Sequence, residues 1–247
     1  MNKITNNPFH LRDKIILVTG ASSGIGREVA IQCAKAGARL VISGRDAARL
    51  EETLGLLAGS DHRAIAADLT DQQQLHALVE QTGTIDGVVH GAGVHGVMPI
   101  RLVTDTFLNY VMAINFNAPV LLTQRLLYQK KLRDGSSILF VSSLAAHTGT
   151  IGVGPYSASK AALIGLARCL ALEVAKRGIR VNTLSPGLVD TPLLEHNQIM
   201  LNEKASMYPL GIGRPEDVAY AAIYFLADAS RKVTGSVFNL DGGIPFT

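Results

Sequence analysis

Short runs of aliphatic and β-branched residues recur along the chain, separated by longer stretches in which apolar positions return every third or fourth residue. The runs Lys14–Thr19, Arg39–Ser43, Arg63–Ala67, Asp86–His90, Ser136–Ser142, Ile179–Leu184 and Ser236–Leu240 read as strands. Ile15-Ile16-Leu17-Val18 shows no alternation, as expected of a strand covered on both faces. Between the runs lie helical patterns. Over Glu216–Ala229, Val218, Ala221, Ala222, Phe225 and Ala229 share one face. This alternation predicts an α/β fold: a doubly wound parallel sheet of seven strands with helices on both faces. In such a sheet, ligands sit beyond the carboxyl ends of the strands, near the point where the strand order reverses.

The chain has 247 residues and no low-complexity linker, so residues 1–247 are expected to form one domain. With 47% hydrophobic and 17% charged residues it is too apolar for disorder. The longest nearly apolar stretch, Ala161–Leu172, contains Arg168 and is shorter than the roughly 18 to 20 residues of a membrane span. The first ten residues carry one Lys and scattered Asn and do not read as a signal peptide, so the expected compartment is the cytoplasm. A balance of 23 basic to 20 acidic residues, with no Trp, leaves no nucleic-acid footprint. No spacing of His or Cys suggests a metal, and Cys33 and Cys169 read as buried, reduced thiols.

The first strand ends in Thr19-Gly20-Ala21-Ser22-Ser23-Gly24-Ile25-Gly26, followed by a helix that stops near Gly37. Glycines let backbone turn sharply beside a pyrophosphate, and a helix amino terminus offers free N–H groups. The spacing is not G-x-G-x-x-G, and a structural bend would also use three glycines.

Thr19–Gly26 resembles the TGxxxGxG motif of the short-chain dehydrogenase/reductase family. Further matches follow in that family's order: Asp68, Ala92-Gly93, Asn115, Ser143, Tyr156 with Lys160, Pro186-Gly187 with Thr191, and Asp241-Gly242-Gly243. The resemblance implies one Rossmann-type domain, a nicotinamide dinucleotide, and hydride transfer between a carbonyl and a secondary alcohol. It places Gly20, Ser22, Ser23, Gly24, Ile25, Gly26, Ser43, Arg45, Asp68, Leu69, Gly91, Ala92, Gly93, Tyr156, Lys160, Pro186, Gly187, Val189 and Thr191 at the cofactor. It makes Asn115, Ser143, Tyr156 and Lys160 catalytic, and homotetramers are common in the family.

Tyr156 and Lys160 follow Pro155 at the head of a helix predicted to run to about Arg177, so both side chains share a face. Carbonyl reduction leaves negative charge on oxygen, so a proton donor and hydrogen-bond donors must be aimed there. Tyr156 is the expected donor, and the Lys160 ammonium is expected to favour its phenolate. In the family Lys160 also holds the nicotinamide ribose, and Ser143 bonds the substrate oxygen. The Asn115 carbonyl would accept from the N–H of residue 119, which is Pro and has none. Either Pro119 keeps that carbonyl free for a water the family places there, or Asn117 caps a new helix with Pro119 in its first turn.

An NAD enzyme usually carries an acid at the end of the second strand. Here Gly44 holds that place and Arg45 follows, with Ser43 a further donor, so NADP(H) is preferred over NAD(H). Asp46 reads as the cap of a helix over Ala47–Leu57, and Asp68 is either an adenine contact or a helix cap. The family's Asn-Asn-Ala-Gly becomes His90-Gly91-Ala92-Gly93, where His90 is expected to replace one asparagine bond; His90 and His147 are read as structural. Residues 188–207 are expected to form a substrate flap.

A basic rim of Lys130, Lys131, Arg133, Arg168, Lys176 and Arg177 would suit an acidic acyl carrier protein. Arg177 aligns with a carrier-docking arginine of the 3-oxoacyl-carrier-protein reductases, although basic helix ends also serve the dipole and solubility. The expected substrate is a small or carrier-linked carbonyl, with a 3-oxoacyl thioester foremost and no nucleic acid or membrane partner. The alternatives are a sugar, polyol or other secondary-alcohol dehydrogenase, and a non-catalytic NADP-binding regulator.

Overall fold

A computed structural model describes residues 7–192 and 205–244. The strands are β1 (Ile15–Thr19), β2 (Arg39–Gly44), β3 (Arg63–Ala66), β4 (Ile85–His90), β5 (Leu132–Val141), β6 (Arg180–Pro186) and β7 (Val237–Leu240). They form a seven-stranded parallel sheet in the order β3-β2-β1-β4-β5-β6-β7. The order reverses between β1 and β4, so a crevice opens beyond Thr19 and His90.

Successive residues of the central strands serve opposite layers, because strand side chains alternate. Ile16, Val18, Leu40 and Ile42 join a core with α1 (Gly24–Lys35), α2 (Ala47–Gly55) and the last helix, α7 (Pro215–Leu226). Leu17, Val41, Ile138 and Phe140 face α3 (Gln72–Thr82), α5 (Ala118–Tyr128) and α6 (Gly154–Glu173). Each fully buried Leu, Ile or Phe stabilises the fold by about 1.5 to 3 kcal/mol relative to exposure, and both layers hold several. Cys33 lies in the first core, where burial pushes its thiol up to about 12. Cys169, expected to be buried, is exposed on α6.

β5 begins four residues before the expected start, at Leu132, because polar Arg133-Asp134-Gly135 enters the ladder through a register shift opposite β4. The predicted Ala47–Leu57 helix ends at Gly55, and its expected Asp46 cap accepts from the Arg49 N–H. Asp68 caps no helix: Asp71 caps α3, accepting from Gln73 and Gln74.

Helix α4 (Asp105–Met112) continues through a π turn, Ala113–Asn117, into α5. The Ala118 N–H reaches back to the Ala113 carbonyl. Pro119 removes the N–H that an α-helix would aim at Asn115, and a widened turn lets the helix run on. Asn117 is itself helical and makes no cap bond, so the expected fresh helix start is replaced by this π turn.

Candidate active site

Beyond β1 the chain turns at Gly20, whose φ is +70°; an added Cβ there would lie 2.7 Å from the Ala92 backbone. Only glycine allows the two loops at the switch point to approach this closely. Helix α1 then starts at Gly24 with no side-chain cap and no acid in its first turn. Asp46, Asp71 and Thr104 cap α2, α3 and α4 by contrast. The α1 amino terminus therefore presents uncapped N–H groups and a positive dipole end to whatever occupies the crevice.

That crevice is a cavity of about 850 Å³. Gly20, Ser22, Ser23, Gly24, Ile25, Gly26, Arg45, Asp68, Leu69, Gly91, Ala92, Gly93, Tyr156, Lys160 and Thr191 all line it. Ser43 does not: it is buried within β2 with its hydroxyl unpartnered. Arg49, on the first turn of α2 and missed by the sequence reading, joins Arg45 in the lining. The acids at this corner are already engaged, Asp46 on the Arg49 N–H and Asp68 on the N–H and hydroxyl of Thr70.

The volume, the uncapped helix and the paired arginines fit a dinucleotide. Gly93 brings the loop against the machinery below, since a Cβ there would lie 3.2 Å from both Asn115 Oδ1 and Lys160 Nζ.

A second cavity, of about 350 Å³, adjoins the first, and Tyr156 lines both. Ser143, Leu144, Ala145, Thr148, Thr150, His95, Met207 and Tyr208 line the second only. Pro186, Gly187 and Val189, expected at the cofactor, also line the second cavity rather than the first. Of the expected flap, residues 193–204 lie outside the described residues.

Tyr156 and Lys160 occupy successive turns of α6, which opens with Pro155 in its first turn. Lys160 Nζ donates to the Val141 carbonyl at 2.9 Å, and the Ser142 hydroxyl donates to the Lys160 carbonyl at 2.8 Å. These bonds fix α6 to the end of β5. Burial pulls the Lys160 ammonium down to about 8. Burial raises the Tyr156 phenol, while a hydrogen bond from Ser143 lowers it in part. The expected depression of the phenol by Lys160 is not seen: desolvation dominates and favours the protonated form, and the only opposing influence is Ser143.

Asn115 lines neither cavity, and its whole amide is engaged. Oδ1 accepts from Val94 N–H at 2.8 Å, and Nδ2 donates to the Val94 carbonyl at 3.0 Å and the Ser159 hydroxyl at 3.1 Å. Ser159 in turn donates to the Tyr156 carbonyl at 2.7 Å. The π turn thereby holds the loop after β4 and the tyrosine-bearing helix together. His90 is buried, stacked on Phe140 and bonded through Nε2 to Thr123 of α5, so it links sheet to helix. His147 Nε2 meets the Ser185 hydroxyl at 3.1 Å.

The expected basic rim includes residues at the opposite edge. Arg177 precedes β6, Lys130 and Lys131 precede β5, and Arg177 is held by Asp134 and the Leu132 carbonyl. A carrier docked there would not face this chain's own cavities, which lie at the strands' carboxyl ends.

A family model described as Enoyl-(Acyl carrier protein) reductase matches residues 20–245. The chain belongs to the short-chain dehydrogenase/reductase family. Among its short-chain dehydrogenase/reductase relatives, the 3-oxoacyl-[acyl-carrier-protein] reductase FabG of Thermotoga maritima is 35% identical over 248 residues, covering 96% of this chain and 99% of the relative. The human (3R)-3-hydroxyacyl-CoA dehydrogenase is 32% identical over 252 residues, covering 95% and 96%. A solved short-chain dehydrogenase/reductase described as glucose/ribitol dehydrogenase, from Brucella melitensis, superposes with a TM-score of 0.90 at 30% identity, covering 97% of this chain and 99% of that one. Family membership makes this an oxidoreductase of hydroxyl and carbonyl groups that uses a nicotinamide cofactor.

Proposed function

We propose that the chain is an NADP(H)-dependent carbonyl reductase whose foremost substrate is a 3-oxoacyl thioester. One observation carries this reading: Tyr156 lines both the glycine-turn cavity and the smaller second one. A nicotinamide dinucleotide bound in the larger cavity supplies or accepts the hydride. Gly20 to Gly26 and the α1 amino terminus would receive its pyrophosphate, and Lys160 its nicotinamide ribose.

Preference for the 2′-phosphate is supported by Gly44 in the place of an acid, by Arg45 and Arg49 at the cavity wall, and by the local bonds of Asp46 and Asp68. Tyr156, kept protonated by its burial, is the proton donor to the carbonyl oxygen. Ser143 steadies the charge that develops on that oxygen and on the phenol. The 3-oxoacyl choice is supported by the acyl-carrier and acyl-CoA relatives, and by Leu144, Met207 and Ile151 in the second cavity.

A sugar or polyol is the second reading, favoured by Thr148, Thr150 and His95 in that cavity. The same assay separates them: NADPH or NADH is mixed with purified protein and either acetoacetyl-CoA or a panel of ketoses. NADPH oxidation by acetoacetyl-CoA, and not by the ketoses, supports the proposal; the reverse favours the polyol reading. Homotetramers belong to this reading too, and sedimentation velocity tests them.

A further inference from the structure

The loop after β4 passes from the cofactor cavity into the second one. Its course is fixed at Val94, whose N–H and carbonyl are both bonded by the Asn115 amide. The next residue, His95, is therefore set in place by the same π turn that braces α6. Its ring lies 4.8 Å from the Tyr156 ring, inclined at 60°, and it lines the second cavity but not the first. Lys160 does the opposite, lining the first cavity and not the second. The phenol thus has a lysine on its cofactor side and an imidazole on its substrate side.

Val97, Ile151 and Met207 also line the second cavity and are 55%, 93% and 54% exposed, so its outer wall includes apolar side chains. A substrate matching this lining carries a hydrogen-bonding group close to its reacting carbonyl and has room for an apolar chain. An imidazole can donate or accept according to its tautomer, which suits a carbonyl oxygen or a hydroxyl.

We infer that His95 determines specificity by binding a polar group on the substrate close to the carbonyl that Tyr156 serves. This rests on the reading of the two cavities given above. A 1,3-dioxygen unit can present one oxygen to the phenol and another toward the imidazole, and it is the unit the test uses. His95 is here a binding residue and takes no proton in the reaction.

The test compares kcat/KM for ethyl acetoacetate with that for a plain methyl ketone of the same length, in wild type, His95→Phe and His95→Gln. The ratio of the two should fall about ten-fold in His95→Phe, the worth of roughly one hydrogen bond. His95→Gln, which keeps donor and acceptor, should recover most of it. An unchanged ratio in His95→Phe, or an equal loss on both substrates, overturns the assignment. Tyr156→Phe is run alongside: turnover that survives it overturns the catalytic reading. An unchanged ratio in an enzyme that still depends on Tyr156 overturns only the role of His95.

Discussion

The Lys160 ammonium lies 5.9 Å from the centre of the Tyr156 ring and donates to the carbonyl of Val141. Both groups are buried, and burial opposes the charged form of each: the lysine is pulled down and the phenol pushed up. The pair therefore holds a protonated phenol next to an ammonium whose proton is loosely bound, an arrangement suited to giving a proton to a carbonyl.

The buried ammonium carries a stability cost with a defined pH window. Its value falls from 10.5 to about 8 on folding, so between those limits the unfolded chain binds more protons than the native one. Stability from this site rises with pH through that window. The difference in Tm between wild type and Lys160→Met should move in favour of wild type from pH 8 to 10.5, read by thermal unfolding at a series of pH values.

His90 acts on the acid side. Burial lowers it from 6.5 to about 3, so the native state keeps it neutral where the unfolded chain takes up a proton. Its contribution is complete above 6.5 and is lost as the pH falls toward 3. His90→Asn, which can still bond Thr123, should flatten the acid limb of a stability profile relative to wild type. Parallel limbs would show that His90 is not buried neutral.

Arg45 and Arg49 should separate the two cofactors. In Arg45→Ala the KM for NADPH should rise roughly ten- to hundred-fold, the worth of a charge-assisted hydrogen bond, with little change for NADH. Adding Arg49→Ala should widen the gap. Steady-state kinetics with both cofactors decide it, and an equal rise for both would remove the NADP(H) preference.

Asn115→Ala strips the bonds from both Val94 backbone groups and from Ser159, and should cost about 2 to 3 kcal/mol in denaturant unfolding. Pro119→Ala restores the missing N–H and lets a regular α turn compete with the π turn. It should lower kcat and alter its pH profile. If neither changes, Pro119 has no part in setting the site.

The sheet and its carboxyl edge were legible because β-branched runs, glycine turns and Asp46 act locally. The lining of the larger cavity was legible mainly through the family resemblance, with the glycine turn the one part read locally. Long-range geometry was not legible. Pro119 marked a break in the ladder, but a widened turn and a capped restart satisfy the same missing N–H, and only packing of Asn115 on Val94 distinguishes them. Arg49 carried no motif of its own; its place at the cavity follows from the start of α2 just after Arg45. The burial that raises the Tyr156 phenol depends on neighbours distant in the chain. So does the position of the basic rim, of which Lys130, Lys131, Lys176 and Arg177 adjoin the amino ends of β5 and β6.

Tyr156→Phe tests the central claim most directly, with turnover and NADPH binding measured on the same preparation. Removing the phenolic hydroxyl should cut kcat at least about a hundred-fold, as for loss of a general acid, while NADPH affinity by fluorescence titration stays within a factor of about two, less than a weak hydrogen bond is worth. Undiminished turnover would contradict the account. NADPH binding by wild type with no turnover on any carbonyl would contradict it equally, and would favour a cofactor-binding regulator.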